Sequence, residues 1–253
     1  MSILLHIWHE DNDINSLTKY LFEFLKLHGC NFKLENADIR GFEGCAKLYN
    51  FVEYNLLNNL ISNDDEYIIM MDNIQDNYVT DRLYKQLHRM ISGYSNILLS
   101  DILCIEYLLL SFRYFKSWTK PVNKCDKYDL CFKYRDIFFQ YLNEGNWVDS
   151  KALREYVCNR FKEKSGRKNI NEEYIIKHTT LETIACDLLI DLTSFGRFKA
   201  DKTTFDECWT CDCCIKYIGF NTCNLYNKNM SSCVKARYLY NYTKIKDLIE
   251  YFD

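Results

Sequence analysis

Ile3-Leu4-Leu5-His6-Ile7-Trp8, closing on Glu10-Asp11-Asn12-Asp13, and Tyr67-Ile68-Ile69-Met70-Met71, closing on Asp72, are the two stretches whose reading decides the fold. Each is a short apolar run bounded by polar residues, the pattern of a strand buried inside a mostly parallel sheet. As neighbouring parallel strands they would bring Glu10 and Asp72 to one sheet edge, the edge where α/β folds bind ligands. Carboxylates gathered there form a seat for a hard divalent cation.

Around these two runs, strand and helix alternate. Asp13 or Asn15 can cap a helix with Leu17, Leu21, Phe24, Leu25 and His28 at helical spacing and Gly29 as its stop. A strand is expected over 31–39, a helix over 44–60 with Leu48, Phe51, Val52, Leu56 and Leu60 on one side, and a helix over 79–91 with Leu83, Leu87 and Met90 inward. A fourth strand over 96–99 leads into a helix over 105–115. This β-α-β-α-β-α-β-α order implies right-handed crossovers and an α/β fold with a mostly parallel sheet. Glu10, Asp72 and Asp101 each follow a strand directly, although loop residues and helix caps there are often acidic for no further reason.

The segment His6-Ile7-Trp8-His9-Glu10-Asp11-Asn12-Asp13 resembles the first motif of the TOPRIM superfamily, in which a strand delivers a glutamate and an aspartate often follows. Tyr67-Ile68-Ile69-Met70-Met71-Asp72 resembles its second motif, and the run from Leu99 to Leu109 is similar to a segment after the fourth strand of stand-alone and defence-associated members. The resemblance covers residues 1–118 and implies Mg²⁺- or Mn²⁺-dependent cleavage or transfer of phosphodiesters. It makes Glu10 a metal ligand or general acid/base and Asp72 the first aspartate of a pair whose second position holds Ile74. Asp76 is the next carboxylate, expected to act through water; Asp13 and Glu106 are reserve ligands that also read as a helix cap and a first-turn residue. His9, beside two acids, reads as a surface residue.

The net charge of −3 conceals an asymmetry: residues 1–118 carry 10 basic and 16 acidic side chains, residues 119–253 carry 22 and 19. Alternation ends after Lys120-Pro121, and a helical, Cys-rich second domain over 119–253 is expected, with helices at 134–143, 150–164, 171–192 and 244–251. Lys151, Arg154, Arg160, Lys162, Lys164, Arg167 and Lys168 stand against only Glu155 and Glu163, a stretch that could grip phosphates, with Tyr156 and Phe161 to stack bases; a solvated helix face explains the same pattern. His178 and Glu182, four apart, read as a side-chain contact on one helix.

Six of the thirteen cysteines crowd between Cys208 and Cys233. Cys208, Cys211, Cys214 and Cys223 have spacings that a structural Zn²⁺ could use, and buried thiols are an equal reading. No run approaches the roughly 18 to 20 apolar residues of a membrane span, and no signal peptide is recognisable, so the chain is expected to be cytoplasmic and free of the membrane, with nucleic acid as partner and a partner protein or second copy left open. The function expected is a metal-dependent nuclease, in the setting of an antiphage defence effector that the resemblance suggests. The alternatives are a degenerate TOPRIM-like sensor or docking module, or a receiver-like domain phosphorylated at Asp72 with Ser100 and Lys120-Pro121 in supporting positions.

Overall fold

Along Leu5–His9 (β1) successive side chains point to opposite faces, so Leu5, Ile7 and His9 share one face while His6 and Trp8 share the other. In the computed structural model, which describes residues 3–13, 16–112, 126–144, 146–193 and 232–253, this alternation meets cover on both sides. Asp38–Gly41 (β2), Glu66–Met70 (β3) and Ile97–Leu99 (β4) complete an all-parallel sheet of order β2-β1-β3-β4. Ile7 is in register with Ile39 and Ile68, and Ile69 with Leu99.

Leu17–Leu27 (α1) covers the first face with Leu21, Phe22 and Leu25, packed on Leu5, Ile7 and Ile68. Cys45–Leu57 (α3) and Tyr78–Ile91 (α4) cover the second, where Leu48, Val52, Leu87 and Ile91 meet Trp8, Tyr67 and Ile69. The chain leaves β1 for β2 across one face and then runs to β3 and β4 across the other, which keeps a single crossover hand and reverses the strand order between β1 and β3. Ile105–Leu110 (α5) returns to the α1 face.

Local chemistry moves several expected boundaries. Ser16 caps α1, its hydroxyl accepting from the Lys19 N–H at 3.1 Å. The strand expected over 31–39 begins only at Asp38, because Asn31 caps a single turn, Phe32–Glu35 (α2), by accepting from the Lys33 N–H at 2.8 Å.

Beyond residue 125 the described chain is helical: Asp126–Glu144 (α6), Lys151–Ser165 (α7), Glu172–Lys177 (α8), Leu181–Thr193 (α9), Ser232–Asn241 (α10) and Ile245–Ile249 (α11). The helix expected over 171–192 is therefore two. Thr179 donates its hydroxyl to the Ile175 carbonyl at 2.8 Å, and the Thr180 hydroxyl accepts from the Thr183 N–H at 3.2 Å to start α9 afresh. α9 packs on α5 and α6, and α10 on α1. One hydrophobic cluster thus joins Ile7 and Phe22 to Phe138, Leu188 and Ile249, continuous across residue 118. Among the described residues no helix is long and apolar enough to cross a membrane.

Candidate functional site

Three loops leave the carboxyl edge of the sheet and are stitched together by their backbones. The Glu10 N–H donates to the Met70 carbonyl at 3.1 Å, extending the β1–β3 ladder one step, while the Phe42 N–H reaches the His9 carbonyl at 3.0 Å and the Glu43 N–H the Asp11 carbonyl at 3.1 Å. Gly41 is obligatory in this arrangement, since a Cβ there would lie 2.5 Å from the Asp11 oxygen and 2.6 Å from the Asp13 nitrogen. On the far side the Asn73 N–H reaches the Leu103 carbonyl at 3.1 Å. Glu10 and Asp72 are held at the β1/β3 reversal, the position at which open α/β sheets bind ligands.

Their side chains meet. The Glu10 carboxylate accepts hydrogen bonds from the Asp72 backbone and from its carboxyl group. Burial raises the Glu10 pKa to about 7, and the negative charges of Asp11 and Glu182 push the same way. Asp72 is raised well above the usual carboxylate range, first by burial and then by Glu10, with Glu182 and Glu106 adding to it. Among the described residues none of the leading influences on either acid is a positive charge, and the hydrogen bond between the two carboxyl groups needs a proton on one of them. Glu10 and Asp72 are half-buried as whole residues.

Other acids take other places. Asp76 does not join the pair: its carboxylate accepts from the Leu181 N–H at 2.9 Å and so fixes the start of α9, whose next residue is Glu182. Ile74 is buried in the core, and Asp101 faces solvent with Lys244 at 3.8 Å. Asp13 accepts from the Gly41 N–H at 2.8 Å and lies 3.5 Å from Lys19, a structural clamp. His178 bonds the Tyr174 carbonyl and stacks on its ring at 4.0 Å, apart from the role of Glu182.

His9 is the residue the sequence misplaces. It is only 1% exposed, and neither ring nitrogen has a hydrogen-bond partner in the structure. Burial lowers its pKa to about 4, against the pull of Asp11, so the ring is neutral at physiological pH. With Glu10, Asp72, Thr18 and Cys104 it lines a cavity offering about 20 Å³ to the centre of a water-sized occupant. Glu10 Oε2 is also buried without a hydrogen-bond partner. The strict alternation Leu5, Ile7, His9 was the signal that could have placed this ring inside.

The basic stretch is partly committed to structure, through Arg160 and Lys164. Arg160 pairs with Asp191 at 3.0 Å, the Tyr156 hydroxyl donates to Asp191 at 2.8 Å, and Lys164 pairs with Asp187. Lys151 and Arg154 lie 3.9 Å from Glu155 and Glu172, while Lys162, Arg167 and Lys168 form no ion pair among the described residues. Tyr156 is buried and Phe161 packs edge-on against Tyr174, so neither is an open stacking platform. Cys208, Cys211, Cys214 and Cys223 lie outside the described residues; Cys30, Cys45, Cys104, Cys131, Cys158 and Cys186 carry free thiols.

Among the described residues no three His, Cys, Asp or Glu side chains converge on one point as placed. Comparison with family models, with curated proteins and with solved structures returns no match.

Proposed function

We propose that this chain is a metal-dependent phosphodiesterase acting on nucleic acid, with Glu10 and Asp72 holding a divalent cation. The observation that carries this reading is the juxtaposition of these two acids at the β1/β3 reversal, turned onto one another with no cation among their leading electrostatic influences. A single proton offsets only one negative charge of the pair, whereas a dication at the same place would also relieve the repulsion from Asp11, Glu106 and Glu182. Two carboxylates also match the preference of Mg²⁺ and Mn²⁺ for sites completed by water and substrate phosphate. The unpartnered Glu10 Oε2 supplies a donor of the right chemistry. A bound dication would polarise the phosphoryl group and activate water.

The chain's own part is placement. Gly41 and the backbone bonds of the 10–13 and 41–44 loops hold Glu10 forward, and Asp76 anchors α9 so that Glu182 adds negative potential behind the pair. The receiver-like alternative is less well supported, because α5 lies on the α1 face. A crossover of the observed hand over that face leads back across the sheet rather than to a fifth strand beside β4.

The test is cleavage of plasmid DNA and of RNA by the full chain with Mg²⁺ or Mn²⁺. Cleavage that chelator stops and that Asp72→Asn reduces by ~100-fold or more, with unchanged circular dichroism, supports the proposal. Metal binding without turnover of either polymer points to a docking module instead. Absence of metal binding removes the proposal altogether.

A further inference from the structure

A neutral imidazole carries one N–H donor and one lone pair, and leaving either unsatisfied inside a protein forfeits the hydrogen bond it made to water. His9 leaves both unsatisfied at 1% exposure. A ring in this condition is rarely mere core filling; isosteric apolar residues would fill the same space at no such cost. It lines the cavity that Glu10 and Asp72 also line, and the 20 Å³ open there suits a single ion or water rather than an organic group. The thiol of Cys104 lines the same space, a second donor softer than oxygen.

We propose that His9 is a nitrogen ligand of the cation held by Glu10 and Asp72, which makes the site selective for a transition-metal dication such as Mn²⁺ or Zn²⁺ over Mg²⁺. The inference rests on the metal-site reading above and sharpens it. Magnesium takes oxygen donors, whereas imidazole suits borderline metals, so one buried nitrogen in a carboxylate pair shifts the preference away from Mg²⁺. As placed, the three side chains do not converge on one point, so the cation would have to part Glu10 from Asp72 and draw a carboxylate toward the ring, where one imidazole nitrogen gains the partner it lacks.

Electron spin echo envelope modulation of the Mn²⁺-loaded full chain decides the matter without reference to activity. ¹⁴N modulation in the wild-type spectrum, converted to the ¹⁵N pattern by ¹⁵N-histidine labelling, is the expected result, and it needs no substitution that could unfold the protein. His9→Gln should remove the modulation and weaken Mn²⁺ binding by ~10–100-fold or more, while Mg²⁺ binding changes far less. Mn²⁺ that binds in an Asp72-dependent manner but carries no nitrogen modulation, or whose modulation survives His9→Gln, overturns the role of His9 and leaves the carboxylate site standing. If no Mn²⁺ binds, the site itself fails.

Discussion

The molecule buries acids in two places and treats them in opposite ways. Between α7 and α9, Asp187 and Asp191 are met by Lys164, by Arg160 and by the Tyr156 hydroxyl, so that each negative charge has a partner of complementary sign or a donor. At the carboxyl edge of the sheet, Glu10 and Asp72 meet one another, with Asp11, Glu106 and Glu182 among their leading influences and, among the described residues, no basic side chain ranking with them. A fold gains nothing from massing like charges, whereas it does gain from neutralised ones when burial is unavoidable. The first cluster is explained by stability; the second asks for a ligand.

Arg160→Ala is the strongest way to break this contrast. It would leave the Asp191 carboxylate, whose side chain is 8% exposed, without its cation and with only the Tyr156 hydroxyl as donor, and should lower stability by about 2–4 kcal/mol in urea unfolding. A loss below ~1 kcal/mol would mean that the α7–α9 pairing is no more structural than a surface contact.

Glu10→Gln should act in the opposite direction. The folded-state pKa of Glu10 is about 7 against an ordinary 4.5, so the folded form binds its proton more tightly than the unfolded chain does. The stability this group contributes is complete below pH 4.5 and is lost as pH rises through 7. Without added metal, the Gln variant should therefore exceed the wild type by roughly 2–3 kcal/mol at pH 8, with the gain vanishing toward pH 4.5. His9 contributes an opposite slope between about 4 and 6.5, present in both proteins and cancelling in the difference. Thermal unfolding across this range checks the sign; a variant less stable than wild type at pH 8 would show that burial and the Asp11 and Glu182 charges do not hold the Glu10 carboxyl above its ordinary range.

Lys151→Ala is the control with the smallest effect. Its pair with Glu155 spans 3.9 Å, with both side chains more than half exposed, so melting should shift by less than about 0.5 kcal/mol in stability. A larger loss would blur the distinction between the committed and the free part of the basic helix.

What was legible in the sequence follows from how local each signal is. β1, β3 and β4 are buried on both faces and announce themselves as apolar runs, and α4 begins within one residue of its expected start because its amphipathic stripe is long. β2 is a four-residue edge strand with only Ile39 buried, too short for a period-two pattern to outweigh the preceding helical turn. The convergence of Glu10 with Asp72 could be read from strand order alone. Asp76 could not, because its partner is a backbone N–H 105 residues away, and Glu182 reaches the pair only through the docking of α9 on α5. His9 was legible by alternation and was obscured by its acidic neighbours.

The shared hydrophobic cluster sets a condition on how this protein can be divided. Ile7, Phe22 and Ile68 lie in the same interior as Phe138, Leu188 and Ile249, so the sheet has no complete inner wall without the later helices. Glu182 comes from those helices, and the acids at the strand tips owe part of their mutual crowding to a segment more than a hundred residues downstream. Dissecting the chain near its middle would strip the α/β layer of its lining and quieten the charge at its rim in the same cut.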